Sequence, residues 1–427
     1  MSVQSIYSTP IDPARDRWLA ALFVAIWALV TSFQQWGHWP EDLSAIYVAG
    51  WLWNTGQFDL IYDFPSGFFG GAAESWEPVI AGLGIGADEP VFPYVYPPIW
   101  AVLFSQITAI AGPRSFANTV TVIHILMLAA SVLLAGRIMR PSGMPRWVWA
   151  AIGTVILSIS IQAYLAIWHS QPTITVTFLT LLAFERMLAG RGGTAGAILA
   201  LAAAIKLIPA AFALLFLLDR QYRALFVFVL VGGALGLLSI LLAGWPLHAQ
   251  FLHSLGAVSD TGYLIAINIS LKPALLAVGS VLGLIPMPDP DLNQVVYTRS
   301  VPVWLAPSLS VVALGLIIAF SRLLSRQGSA RLYGLGVIVL SVIVALFGPL
   351  GWHHYYVLPM LLLPGLLTDR AARYVLAVIF LSSLTPVFGY IGILGILPWP
   401  IAVYTWWMCA AWLALLVVVY RLARSSQ

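Results

Sequence analysis

Apolar stretches of about 20 residues, the length an α-helix needs to cross a bilayer, recur from Trp18 to Tyr420, separated by polar turns and two longer regions. A chain patterned this way has few options. In lipid every backbone amide and carbonyl must find a partner inside the protein, so only helices and closed barrels span. Barrel strands alternate apolar and polar residues over roughly ten positions. These segments are apolar throughout, which predicts an all-α, polytopic membrane protein. Charge agrees, because 8% of the 427 residues are Asp, Glu, Lys or Arg, where a soluble domain carries roughly 25%. Mean hydropathy is +0.93. Trp36, Trp39, Tyr94, Tyr96, Trp168, Trp245 and Trp352 stand at segment ends, as in an interfacial aromatic belt. The single cysteine, Cys409, excludes an internal disulfide and a Cys-based metal site. The net charge of +4 is a topology signal and no nucleic-acid patch.

Arg15 and Arg17 precede the first apolar run, which lacks a small-residue cleavage site and reads as an uncleaved anchor. By the positive-inside rule the N-terminus is then cytoplasmic and the first span, Trp18 to Gly37, leads out. Residues 37–95 become the first extracytoplasmic loop. Next, 97–111 reads as a short helix in the outer leaflet and 116–136 as a span, which returns Arg137, Arg140 and Arg146 to the inside. Trp147 to Ile167 goes out and Thr173 to Leu188 comes back. Ala195 to Leu218 has Lys206 in its middle and arginines at both ends, so it reads as two short helices meeting near Lys206. Leu225 to Leu242 exits into a second outer region, 244–302, with a leaflet-confined helix from Pro273 to Ile285. Five further spans up to Tyr420 alternate and leave the C-terminus cytoplasmic. The expectation is one domain, 1–427, of about a dozen spans. Four cations, Arg114, Lys206, Lys272 and Arg299, share the outer side.

The first loop holds eight carboxylates and no Lys or Arg, half of the chain's Asp and Glu. Among them Asp42 stands just ahead of Leu43, Ile46, Tyr47, Gly50 and Trp51, whose helical spacing, closed by Gly56, predicts an amphipathic helix in the headgroup plane. Asp42 then has two readings: a catalytic base held at the membrane–water boundary, or an N-cap after Pro40. Lys206 is embedded in apolar sequence, where a cation usually faces a cavity or a partner. It suits an anionic phosphate as a point charge; the other reading is snorkelling to a headgroup layer. In Trp168–Gln171, His169 and Gln171 bind sugar hydroxyls or phosphate, or are simply solvated. His353 and His354 point about 100° apart on a helix, so they make no two-ligand metal face. Asn268 and Ser270, ahead of Lys272, form a substrate clamp or a chain turn. Asp289 and Asp291 stand among prolines and read as an extended loop. No zinc-protease, Walker or nucleophile-elbow motif occurs, so soluble-nucleotide chemistry is unsupported.

Taken in order, Asp42, Tyr47, Gly56 and Tyr62, then Tyr96 to Pro98, Ser170 with Gln171, Ala203 to Pro209, Asn268 to Leu271 and Trp352 to His354 resemble glycosyltransferase family 87 of the GT-C superfamily. This resemblance implies a GT-C-type helical bundle and a polyprenyl-phosphate sugar donor, mannose foremost. It implies an acidic base in the first outer loop, a place Asp42 occupies, with phosphate contacts near Lys206 and a role for His353 or His354. Ser170 stands where the family usually has Gly, and Ile269 where it usually has Gln. On this reading the reaction is an inverting, metal-independent and cofactor-independent transfer to a lipid-linked or glycan acceptor, in the inner (plasma) membrane and on its outer face. Lys272 and Arg299 would join Lys206 on the donor phosphate, and Tyr47, Tyr62, His169, Gln171, Asn268, Ser270 and Trp352 would bind sugar or acceptor. A transporter or lipid flippase is the alternative, though such proteins usually show two related halves.

Overall fold

Helix α1 (Pro13–Gln35) starts where Asp12 accepts a hydrogen bond from the Ala14 amide and Pro13 occupies the first helical position, where its missing N–H is no loss. The computed structural model describes residues 12–64, 71–284, 297–394 and 398–425. Among these the chain is helical except for turns, extended connections and one two-stranded antiparallel sheet. After α1 come α2 (Glu41–Asn54), α3 (Glu77–Gly82), α4 (Pro98–Thr108), α5 (Pro113–Met139), α6 (Arg146–Ile159), α7 (Ile161–Trp168), α8 (Thr173–Leu188), α9 (Gly192–Ile205), α10 (Ala213–Leu218) and α11 (Tyr222–Asp260). Strands β1 (Thr261–Leu264) and β2 (Tyr297–Ser300) flank α12 (Leu271–Val281), and α13 (Leu305–Leu324), α14 (Ser329–Phe347), α15 (Val357–Leu362), α16 (Arg370–Ser382), α17 (Thr385–Leu394) and α18 (Pro398–Arg424) complete the order.

Helices α1, α5, α11, α13, α14 and most of α18 are each long and apolar enough to cross a membrane. The protein is an all-α, polytopic membrane protein. Helix α14 is its axis: every residue from Leu332 to Ile343 is buried, against α5, α8, α15 and α18. The outward surface is as apolar as the inside. Phe226, Val229, Leu230 and Leu241 of α11 are exposed, an arrangement that would aggregate in water and that lipid satisfies.

Several expected spans are broken rather than continuous. Trp147 to Ile167 divides at Ser160, which is extended (φ −85°, ψ 136°), into α6 and α7. The Ser160 hydroxyl accepts from the Ala163 amide, and the Ile161 amide donates to the Ser383 carbonyl at 2.7 Å. The break therefore pairs with a second break, between α16 and α17, through a bridge of Ser160 to Leu384. Interrupted backbone at such a depth survives because protein, not lipid, supplies the partners. Residues 355–367, read as one span, form α15 between two 3-10 turns.

The two helices expected to be confined to one leaflet are short, as anticipated. With 11 residues each, α4 and α12 reach about 16 Å at 1.5 Å per residue, half a bilayer. Helix α2 is a correction. It runs where the spacing puts it and stops at Gly56 (φ +75°), but Leu43 to Gly50 are all buried, so it is no amphipathic helix on the headgroups. Its cover is α4: a Cβ on Gly50 would sit 2.9 Å from the Phe104 carbonyl carbon, so only glycine lets the two backbones approach this closely.

Candidate functional site

The turn Trp168–Gln171, between α7 and α8, grips the first turn of α2. Trp168 Nε1 donates to Glu41 Oε1 (3.3 Å) and His169 Nδ1 to Glu41 Oε2 (2.7 Å). Two residues on, Gln171 Nε2 donates to Asp42 Oδ2 at 2.6 Å. Asp42 is therefore no N-cap; that position falls to Pro40, and no side chain caps α2. Both adjacent carboxylates are used by one turn that lies 127–129 positions further along the chain.

The other side of Gln171 meets Lys206. Helix α9 ends at Ile205, and Lys206 is extended (φ −140°, ψ 137°) before the 3-10 turn Ile208–Phe212. This break aims the ammonium inward, where Nζ donates to Gln171 Oε1 (2.9 Å) and Thr173 Oγ1 (2.8 Å). The rings of Tyr355 and Tyr96 flank it, with centroids 5.1 and 5.6 Å from Nζ, in the range of cation–π attraction. The chemistry fixes the amide's orientation. Lysine only donates and an ionised aspartate only accepts, so the oxygen of Gln171 faces Lys206 and its nitrogen faces Asp42.

Electrostatics follow from burial and this pairing. Desolvation raises the pKa of Asp42, opposed by the nearby His169, the Gln171 hydrogen bond and Lys206. For Glu41 burial also pushes upward, but the hydrogen bond and charge of His169 outweigh it and its pKa ends below the ordinary value. Burial works against protonated His169, and the hydrogen bond to Glu41, with the charges of Asp42 and Glu41, reverses the sign and lifts it. The opposite shifts of Glu41 and His169 favour an ion pair between them, whereas the upward shift of Asp42 favours its taking up a proton. Among the described residues no hydrogen bond reaches its Oδ1.

Ser170 adopts φ +42°, the left-handed region that favours glycine. Its hydroxyl is 2.8 Å from His124 Nδ1, and His124 Nε2 is 3.0 Å from Thr175 Oγ1.

The remaining sequence candidates divide. His354 lies in this neighbourhood, its ring 4.8 Å from that of Tyr355, with Nε2 buried and without a hydrogen-bond partner. His353 points elsewhere, toward Gln162 Nε2 and the Tyr404 hydroxyl, each at 3.4 Å, so the two histidines diverge as helical geometry requires. Tyr62 donates its hydroxyl to the Tyr96 carbonyl (2.5 Å). Tyr47 instead donates to the Ala111 carbonyl (2.8 Å), a strut between α2 and the start of α5. Asn268 pins the chain, donating to Tyr263 O and accepting from the Gly351 amide, both at 2.9 Å, and it bridges Trp352. Ser270 Oγ is buried without a partner. Lys272 donates to the Ser259 carbonyl (2.6 Å), which occupies it at the end of α11. Arg299 pairs through its backbone with Gly262. Asp289 and Asp291 lie outside the described residues.

Sequence reasoning missed Glu41, Thr173, Tyr96 as a neighbour of Lys206, and Tyr355. For Glu41 the adjacency to Asp42 was a signal, and for Tyr355 its place beside His354.

A model of glycosyltransferase family 87 matches residues 94–349. A polyprenol-phosphate-mannose-dependent alpha-(1-2)-phosphatidylinositol mannoside mannosyltransferase of Mycobacterium tuberculosis is 28% identical over 318 residues, 71% of this chain and 69% of that protein.

Proposed function

Because the chain belongs to glycosyltransferase family 87, we propose that it transfers a hexose, mannose by analogy with the mycobacterial relative, from a polyprenyl-phosphate donor to a lipid-linked or glycan acceptor. The site would face the extracytoplasmic side of the plasma membrane, with both termini inside and the whole chain acting as one domain.

One observation carries the reading: Asp42 and Lys206 meet through Gln171. In the proposed step Asp42 Oδ1 takes the proton of an acceptor hydroxyl while that oxygen attacks the anomeric carbon. The bond from that carbon to the donor phosphate oxygen breaks on the opposite face, and polyprenyl phosphate leaves with the electron pair, inverting the centre. Phosphate leaves as a stable anion, so one carboxylate suffices where glycosidases use two. Lys206, held by Thr173 and Gln171, would stabilise the charge growing on that phosphate, as a fixed cation does where water is excluded. His354 Nε2, buried and unpartnered, would be a second phosphate contact. The contacts of Lys272 at the end of α11 give it no part in this proposal.

Replacing Asp42 by Asn keeps the shape and removes the base, so the transfer rate from labelled polyprenyl-phosphate mannose should fall roughly 10²–10⁴-fold while donor still binds. A folded, donor-binding Asp42→Asn protein with wild-type turnover would sink the assignment.

A further inference from the structure

We infer that His124 of α5 is a positioning residue: it ties the turn Trp168–Gln171 to α5 so that the Gln171 amide reaches Asp42 and Lys206 together, an inference that rests on the transferase reading above. Among the described residues its hydrogen bonds go to Ser170 and Thr175, on either side of Gln171 in the chain, and to neither Asp42 nor Lys206. It acts on the site through the turn alone.

The turn is rigid in itself. Gln171 N donates to Ala166 O (2.8 Å) and Ser170 N to Ile167 O (2.9 Å), the pair of bonds that closes a helix in a Schellman motif, with Ser170 at its left-handed position. It therefore moves as one body, and what remains to be fixed is where that body sits. Helix α5 is the common frame. Its Asn118 Oδ1 accepts from the Gly37 amide (2.9 Å), on the lead-in to α2, and Ala111, just ahead of α5, accepts from Tyr47 of α2. His124 holds the turn to the same helix, so the carboxylate and the amide that meets it are located against one reference.

Both ring nitrogens are committed to this tie. The Thr175 hydroxyl donates to Met127 Sδ (3.5 Å), so its oxygen receives the proton of His124 Nε2 (3.0 Å), and Nδ1 accepts from the Ser170 hydroxyl (2.8 Å). His124 and Ser170 are buried, so a lost bond is not replaced by water. The tolerance at the far end of the turn is small. Gln171 Nε2 lies 2.6 Å from Asp42 Oδ2, and Oε1 lies 2.9 Å from Lys206 Nζ; a displacement of about 1 Å takes either contact to the edge of hydrogen-bonding range. Lys206 would still have Thr173 (2.8 Å). Among the described residues Asp42 has no second donor, so the loss of the tie falls on the base.

The test follows the titration of Asp42 in the full chain in detergent by pH-difference infrared spectroscopy, its carboxyl band being the one that Asp42→Asn removes. His124→Leu cuts both ties. Without the Gln171 hydrogen bond the ionised carboxylate is less favoured, so the midpoint should move to higher pH. With labelled polyprenyl-phosphate mannose, kcat should fall roughly 10–100-fold while the donor KM changes less than about twofold, because the base is displaced and Lys206 stays held. Asp42 is also faced by Glu41, His169, Lys206, Tyr96 and Tyr355, none of which is altered. His124→Asn, whose amide oxygen reaches the place of Nδ1, should restore most of both losses. Ser170→Ala cuts one tie, should move the midpoint the same way, and decides the matter if His124→Leu does not fold. A midpoint that stays put while Tm falls, or a His124→Asn protein no better than His124→Leu, would overturn the positioning role. Transfer by the wild type with an unmoved midpoint in the variants overturns that role alone. A midpoint that moves in a protein that transfers no sugar overturns the transferase reading and leaves His124 as the anchor of the amide on Asp42.

Discussion

Gln171 is the residue on which the site turns, since one neutral amide joins a donor-only cation to an acceptor-only carboxylate. Changing it to Glu puts a negative charge where the amide now lies 2.6 Å from Asp42 and removes a hydrogen bond to its ionised form, so both effects raise the Asp42 pKa. A base must be ionised, and burial already raises this pKa; activity is present above it and is lost as pH falls through it. The acid limb of the kcat/KM profile should therefore lie above the ordinary aspartate range in the wild type and move to higher pH in Gln171→Glu. An unmoved limb would detach Asp42 from that titration. Ser170 offers a separate test. Ser170→Ala keeps the left-handed backbone and takes away the partner of His124 Nδ1, so thermal unfolding should show a loss of about 1–3 kcal/mol. Ser170→Gly loses the same hydrogen bond but relieves strain of about 1–2 kcal/mol, so it should be milder than Ser170→Ala.

Between elements, close backbone approach at glycine does much of the positioning. Gly50 lets α2 lie on α4, and a Cβ on Gly196 of α9 would sit 2.1 Å from the Ala224 carbonyl oxygen of α11. In lipid, where hydrophobicity does not drive helices together, small residues that permit such contact become the main packing device. Gly50→Ala must push α2 away from α4 and carry Asp42 with it. It should cost about 1–3 kcal/mol of stability, as overpacking does, and lower kcat more than it raises the donor KM, because the base moves while Lys206 stays. Equal and small effects on both constants would show that α2 position is not what aligns the base. The paired breaks at Ser160 and Ser383 act similarly, since they leave α7 short and present its C-terminal turn to Glu41 and Asp42.

Across the whole molecule the proposal assigns the carboxylate-rich loop and the chain end to opposite sides. Asp88 and Ser425 are both exposed, and the only cysteine, Cys409, is buried. In a Cys409→Ala background, a membrane-impermeant maleimide should label Asp88→Cys in intact cells and Ser425→Cys only after permeabilisation. The reverse pattern would invert the topology and, with it, the compartment of the reaction. Glu185 gathers Arg137 and Arg186 at 2.9 and 2.5 Å, far along α8 from Gln171, so the two ends of that helix carry different polar clusters.

Hydropathy along the chain was enough to determine an all-α membrane protein, the extent of α2, the two half-length helices and the interruption at Lys206, because each depends on local pattern: apolar run length, a closing glycine, a proline after a cation. The ordered motifs were enough for the family. What tertiary structure alone decided was partnership. Glu41 finds His169 across 128 positions and Lys206 finds Gln171 across 35, while Lys272, expected to join Lys206, donates to a backbone carbonyl. In a soluble protein the polar face of a helix tells which residues look outward. In a bilayer both faces are apolar, so sequence marks the depth of a helix but not its neighbours, and which cation meets the carboxylate is settled only when the helices pack.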